Sequence, residues 1–146
     1  MSDFTPRVNS RVAAIQPSGI RRFFDLVETM QDCISLGVGE PDFKTPYHIR
    51  DAGIDTLERG LTRYSPNAGL SKLRQAISKY LERRFGLSYD WNGETLVTVG
   101  GSEAIDLAVR AICQPGDEVL IPSPSFVCYT PIVTLAGATP VPGDMC

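Results

Sequence analysis

Gly100-Gly101-Ser102 lies between two stretches of opposite character. Upstream, Thr95-Leu96-Val97-Thr98-Val99 is a β-branched burst that reads as a strand; downstream, Glu103 to Cys113 carries an apolar helical pattern. Two glycines let the backbone turn without a Cβ penalty, and Ser102 is a good helix N-cap. The first amides of a helix opening there have no internal partner and share the positive end of the helix dipole. They form a site for an anion, most often a phosphate, so the run points to a cofactor that carries one. An ordinary strand-to-helix turn in an α/β sheet uses the same residue types, so this run alone serves either purpose.

Few other residues offer chemistry. His48 is the only histidine, and no serine or cysteine stands in a matched arrangement with it, which argues against a hydrolase triad. Cys33, Cys113, Cys128 and Cys146 are far apart and form no C-x-x-C, so a zinc site is not expected and reduced, mostly buried thiols are. The net charge of −3 and the scattered arginines leave no basic footprint for nucleic acid. Hydrophobic content of 42% and charged content of 21% suit a soluble globular protein. The most apolar region, Glu118 to Pro142, is broken by Pro122, Pro124, Pro131 and Pro140, so no membrane span is expected. Met1-Ser2-Asp3-Phe4-Thr5-Pro6 lacks the layout of a signal peptide, and the expected location is the cytoplasm.

The elements that must position the glycine turn follow from periodicity. Residues 1–19 read as an arm without sustained period, Ile20–Gln31 as a helix, and Ile34-Ser35-Leu36 as a short extended piece. The stretch Gly37 to Asp42 reads as a loop. Thr45-Pro46 opens a helix as N-cap and N1, stopped by Gly60. A second loop, Arg63 to Gly69, leads into an amphipathic helix from Ser71 to Phe85. Its expected buried face is Leu73, Ala76, Ile77, Tyr80, Leu81 and Phe85, and Gly86 caps it. Strands are expected at Thr95–Val99, Glu118–Ile121 and Ala138–Val141, with helices at Glu103–Cys113 and Phe126–Ala136 between them. Strand–helix–strand–helix–strand with short turns is the pattern of a mostly parallel α/β sheet. Ligands bind at the carboxyl ends of such strands, so Gly100–Ser102 and Pro122–Phe126 are expected to open onto one crevice.

Four segments stand out together: Ser35-Leu36-Gly37-Val38-Gly39-Glu40-Pro41-Asp42-Phe43, Arg63-Tyr64-Ser65-Pro66-Asn67-Ala68-Gly69, Val99-Gly100-Gly101-Ser102-Glu103-Ala104, and Pro122-Ser123-Pro124-Ser125-Phe126-Val127-Cys128-Tyr129. In this order and spacing the chain resembles the N-terminal part of class I/II pyridoxal-phosphate-dependent aminotransferases of fold type I, nearest the aromatic, aspartate or alanine-type branch. The resemblance implies an α/β fold: the start of the mostly parallel sheet of the large domain, preceded by an N-terminal arm and part of the small domain. Residues 1–45 would be the arm and part of the small domain, and residues 46–146 the first part of the large, cofactor-binding domain.

The resemblance also implies roles. Gly101 and Ser102 match the cradle of the cofactor phosphate, and Phe126 matches the aromatic that stacks on the pyridine ring, where a flat π face suits an electron-poor ring. Tyr64 matches the tyrosine that reaches the partner's cofactor phosphate in a homodimer with shared active sites. Gly39 matches the glycine whose backbone meets the substrate carboxylate. The implied activity is transfer of an amino group from an L-amino acid to a 2-oxo acid. The family's catalytic lysine, which carries the cofactor as a Schiff base, has no counterpart among Lys44, Lys72 and Lys79 and is expected downstream. The 146 residues therefore read as a truncated portion, inactive alone, with an uncovered sheet and a half-built site. A lyase or synthase of the same fold and cofactor is the near alternative, and a non-catalytic sensor or degenerate remnant the distant one. Gly100-Gly101-Ser102-Glu103 lacks the G-x-G-x-x-G spacing of a dinucleotide-binding oxidoreductase.

Overall fold

The computed structural model describes residues 8–17, 19–30, 32, 34, 39 and 41–145. Within them the chain divides into two units: Gly19–Thr95, and the described residues on either side of it. The expected extended piece Ile34-Ser35-Leu36 and the loop from Gly37 to Asp42 fall largely outside the described residues.

The first unit is helical. In the arm that precedes it, a short helix α1 (Ser10–Ala13) forms where no period was legible, because the Asn9 side chain accepts from the Arg11 N–H and starts a turn. Helix α2 (Gly19–Glu28) stops before its expected end at Gln31, as the Thr29 hydroxyl donates to the Leu26 carbonyl and competes with the helical ladder. Helix α3 (Tyr47–Glu58) begins one residue later than Thr45-Pro46 suggests. Pro46 keeps an extended ψ of 142°, so it caps the helix through its carbonyl, which accepts from Ile49 and Arg50. Helix α4 (Ser71–Phe85) has the expected bounds and ends at Gly86 in the left-handed conformation (φ 68°), whose N–H donates to the Glu82 carbonyl.

The buried face of α4 differs from expectation. Leu73, Tyr80 and Phe85 are exposed, whereas Arg74 is only 7% exposed. Its Nε donates to the Thr95 carbonyl at 2.8 Å, its Nη2 donates to the Asn92 carbonyl, and its guanidinium lies 5.6 Å from the centre of the Trp91 ring. A planar, weakly hydrated guanidinium with several fixed donors suits such a place better than an ammonium. Apolar periodicity cannot reveal this arrangement, because the partners are backbone carbonyls about twenty residues away. The turn between them is set by Asp90, whose carboxylate accepts from the Asn92 and Gly93 amides.

The second unit carries the sheet. Helix α5 (Gly101–Ile112), strand β1 (Glu118–Ser123), helix α6 (Tyr129–Ala136) and strand β2 (Thr139–Asp144) follow in order. The two strands pair in parallel, from Glu118 opposite Thr139 to Ser123 opposite Asp144. Ile121, Val133 and Ala138 form the buried core, with Val109, Cys113, Val119 and Tyr129 packed against it. Helix α6 starts at Tyr129 rather than Phe126, and Pro131 is tolerated because first-turn residues need no N–H partner. It stops at Gly137 with φ 92°, as expected.

Pro140 and Pro142 fit β2 for a definite reason. Thr139 and Met145 donate to the carbonyls of Asp117 and Ser123, so alternate residues of β2 point their amides toward β1. Pro140 and Pro142 occupy the other register, facing away, where their missing N–H costs the ladder nothing and blunts the outer edge. On the face of β1, Leu120 is 72% exposed.

One expectation fails. Thr95–Val99 is not a strand among the described residues, and the sheet has two strands rather than three. A β-branched run becomes a strand only where a neighbouring strand pairs with it. Here the Thr95 carbonyl is taken by Arg74 and the Val99 amide by a side chain.

Replacing Arg74 by Met keeps most of the apolar stem and leaves two carbonyls without their donors. Arg74→Met is expected to lower stability by about 1–3 kcal/mol, with Arg74→Lys recovering only part of it. Urea unfolding of the whole protein reads this directly; an unchanged midpoint in both variants would show that Arg74 holds nothing.

Candidate functional site

The start of α5 is built by Gly100. Its φ of 94° and ψ of 166° belong to a region that side chains rarely adopt, and it serves as N-cap without any side-chain capping bond. The helix therefore opens at Gly101, two residues before the Glu103 start read from the sequence. Ser102 is not the N-cap but the second residue of the first turn, exposed, with its hydroxyl uninvolved in capping. The shift follows from the glycine: a chain that can turn at a positive φ needs no serine to end the preceding segment.

Two side chains brace the turn. The Thr98 hydroxyl donates to the Gly100 carbonyl at 2.9 Å, and the Val99 N–H donates to the Glu103 carboxylate. A Cβ built on Gly101 meets no atom within 4 Å. The first amides of this twelve-residue helix have no acceptor within it and lie at its positive end, beside the Ser102 hydroxyl. Lower on α5, Asp106 accepts from Arg110 Nε at 2.9 and 3.0 Å, which holds the Arg110 pKa above its ordinary value. That pair sits more than a turn from the helix start.

Phe126 lies in the loop between β1 and α6, half exposed. Its ring meets Tyr129 edge to face, 5.6 Å between centres at 79°, and its carbonyl accepts from the Tyr129 N–H. The ring is thereby held on one side by a neighbour while half its surface stays open. Between α5, β1 and α6 lies an apolar cleft of about 230 Å³ whose walls include Ile105, Pro122 and Tyr129. The cleft reaches the first residue of the Pro122–Phe126 loop, but Gly101, Ser102 and Phe126 do not line it. The single crevice expected from the two loops is not what this cleft forms.

Gly101, Ser102 and Phe126 belong to the sheet-bearing unit, whereas Gly39 and Tyr64 belong to the helical unit. Gly39 is exposed, with nothing within 4 Å of a built Cβ. The Tyr64 side chain is wholly exposed and borders an open depression with Thr62 and Arg63. Lys44, Lys72 and Lys79 are all exposed, so none has the desolvated amine that a carbonyl-binding lysine needs. Among the described residues, no group of three or more His, Cys, Asp or Glu could hold a metal, and no helix is long and apolar enough to cross a membrane.

The bracing pair Thr98 and Glu103 was not singled out from the sequence. The available signal was a glutamate three residues after the capping glycine, the spacing of a capping box.

Residues 31–145 match the family model for aminotransferase class I and II. The chain belongs to that family. It is 56% identical over 137 residues to YugH of Bacillus subtilis, an aminotransferase by name with no stated substrate; the match covers 94% of this chain and 36% of that protein. An aspartate aminotransferase of Pyrococcus abyssi is 46% identical over 134 residues, covering 92% of this chain and 34% of the relative. The solved structure of Thermus thermophilus aspartate aminotransferase with maleate superposes with a TM-score of 0.87 at 38% identity, covering 95% of this chain and 37% of that one. The chain thus spans about a third of the relatives it matches, and its α/β fold with a small parallel sheet is that of their N-terminal part.

The glycine turn makes a sharp contrast testable. Gly100→Ala forces a Cβ into a backbone region that essentially only glycine occupies and is expected to cost about 1–3 kcal/mol. Gly101→Ala, in open space within a helix, is expected to be neutral or stabilising by up to about 1 kcal/mol. Thermal unfolding of the two variants should move in different directions; equal losses would mean that Gly100 does not carry the turn.

Proposed function

We propose that the whole protein transfers an amino group from an L-amino acid to a 2-oxo acid using pyridoxal phosphate, and that this chain supplies the cradle for the cofactor phosphate. The observation that carries the reading is the start of α5. In a chain of this family, open first-turn amides, an uncommitted Ser102 hydroxyl and a Cβ-free Gly101 fall together at one helix end. These groups fit a phosphate: all are neutral donors, the helix end is positive, and Gly101 leaves room for close approach.

Bound there, pyridoxal phosphate would supply an electron sink for the carbon that bears the amino group. The chain's own residues do the holding. The amides at Gly101 and Ser102, with the Ser102 hydroxyl, anchor the phosphate end and fix its position along the helix axis. Phe126 offers an open ring face that orients a flat heterocycle and keeps water off one side of it. Gly39 offers its backbone to the substrate carboxylate. Tyr64, wholly exposed in its own unit, donates its hydroxyl to the phosphate of a second subunit, which makes the active form a cytoplasmic homodimer with shared sites. Residues 1–45 serve as the arm and part of the small domain, and residues 46–146 open the large domain. The exposed lysines leave the covalent hold on the cofactor to residues outside this chain. The names of the relatives favour an acidic or aromatic amino donor.

Measured in the whole protein by the visible absorbance of the cofactor, Ser102→Ala is expected to weaken binding by about 1.5–3 kcal/mol, the worth of one hydrogen bond to a charged group. Gly101→Val should weaken it further by occupying the phosphate's space. Phe126→Ala should loosen the cofactor, while Phe126→Tyr and Phe126→Trp keep the ring face and the affinity. Unchanged affinity in Ser102→Ala and Gly101→Val would place the phosphate elsewhere; unchanged affinity in Phe126→Ala would make that ring an ordinary packing residue.

The shared-site reading has its own test. Subunits carrying Tyr64→Phe are mixed with subunits whose cofactor-linking lysine is replaced. Each hybrid dimer should then hold one intact site and one site with both lesions, so mixing should restore activity that neither parent has. Full activity in a monomer, or no dependence on mixing, would remove Tyr64 from the partner's site.

A further inference from the structure

We infer that Glu103 is a positioning residue for anion binding: it ties down the incoming chain and thereby keeps the first-turn amides of α5 free for an outside acceptor. The inference rests on the phosphate reading above and assigns it a device that neither the family match nor the sequence motif specifies.

A carboxylate in the first turn of a helix is favoured by the dipole, and two uses are open to it. It can fold onto the unpaired amides of its own helix and satisfy them, or it can reach back beyond the cap. Glu103 does the second. Its carboxylate accepts from the N–H of Val99, the residue before the capping Gly100. On the other side, the Thr98 hydroxyl holds the Gly100 carbonyl at 2.9 Å, which also accepts from the Ala104 N–H at 3.4 Å. The Val99–Gly100 peptide pair is thus braced from both directions, although Val99 is otherwise exposed and makes no ladder.

The arrangement resolves an electrostatic conflict. Glu103 and a phosphate are both anions drawn to the same helix end. A glutamate free to swing would compete for the amides, whereas a tethered one spends its acceptor on Val99 and stands behind the turn. Length decides this: the side chain must span from the third helical residue to the residue before the cap. Aspartate, one methylene shorter, falls short of Val99 and is left beside the open amides with its charge intact.

The test separates tether from charge with three substitutions in the whole protein. Affinity is measured for pyridoxal phosphate and for pyridoxal, which lacks the phosphate, alongside the thermal midpoint of each cofactor-free variant. Glu103→Gln keeps the reach and an oxygen acceptor while removing the charge, so its preference for the phosphorylated form should equal or exceed that of the parent. Glu103→Asp and Glu103→Ala should each lose about tenfold in that preference, with affinity for pyridoxal unchanged. A residue that merely supported the fold would lower the thermal midpoint and reduce both affinities alike. The inference is overturned if Glu103→Asp keeps the parent's preference, or if Glu103→Gln falls as far as Glu103→Ala. Ser102→Ala and Gly101→Val serve as references. If they too retain the phosphate preference, the cradle itself is misplaced; if they lose it and Glu103→Asp does not, only the role of Glu103 fails.

Discussion

The structure turns on one backbone constraint, the positive φ of Gly100. Because that residue bends the chain without a side chain, helix α5 opens with no side-chain cap, and its first amides stay unspent. Relative to glycine, a serine or aspartate at the cap would have steadied the helix by only about a few tenths of a kcal/mol, and would have consumed one of those donors. The chain instead steadies the turn from outside the donor set, through Thr98 and Glu103. Stability and an open donor array are reconciled by moving the capping bonds one residue upstream.

The rest of the sheet-bearing unit supports that helix. Val109 on α5 and Cys113 just after it pack against the Ile121–Val133–Ala138 core, so the helix whose start carries the donors is held at its C-terminal end. The ladder between β1 and β2 tolerates Pro140 and Pro142 because both turn their nitrogens to the outer edge. The helical unit has a different logic. There a single buried arginine gathers two carbonyls and a tryptophan ring, a polar anchor where an apolar face was expected. Membership in the aminotransferase family explains why a short chain carries both units: its relatives contain the same stretch as their N-terminal third.

Much of this was legible in the residues, and the parts that were not share a cause. The stops at Gly86 and Gly137 and the start of α4 depend on local backbone preferences, which a sequence displays openly. The parallel pairing of β1 and β2 also followed, since a helix of that length between two short apolar runs leaves little alternative. The Gly100–Ser102 turn reads as a helix start, yet the sequence points to Ser102 as its cap because serine is the commoner choice, where the structure uses Gly100. Thr95–Val99 misled for a different reason: β-branched composition signals a strand only when a partner strand exists. Arg74 was invisible because its partners are carbonyls, which every residue has. For the candidate site, motifs named Gly39, Tyr64, Gly101, Ser102 and Phe126, but the exposure of Tyr64 and the edge-to-face contact of Phe126 are properties of the folded chain alone.

The central claim is that the start of α5 holds the phosphate of the cofactor. A crystal structure of the whole protein with pyridoxal phosphate bound addresses it most directly. The phosphate oxygens should lie at hydrogen-bonding distance, about 2.7–3.2 Å, from the amides of Gly101 and Ser102 and from the Ser102 hydroxyl, with the Glu103 carboxylate still on the Val99 N–H. A phosphate seated on other residues, with the first-turn amides of α5 facing water, would contradict the account.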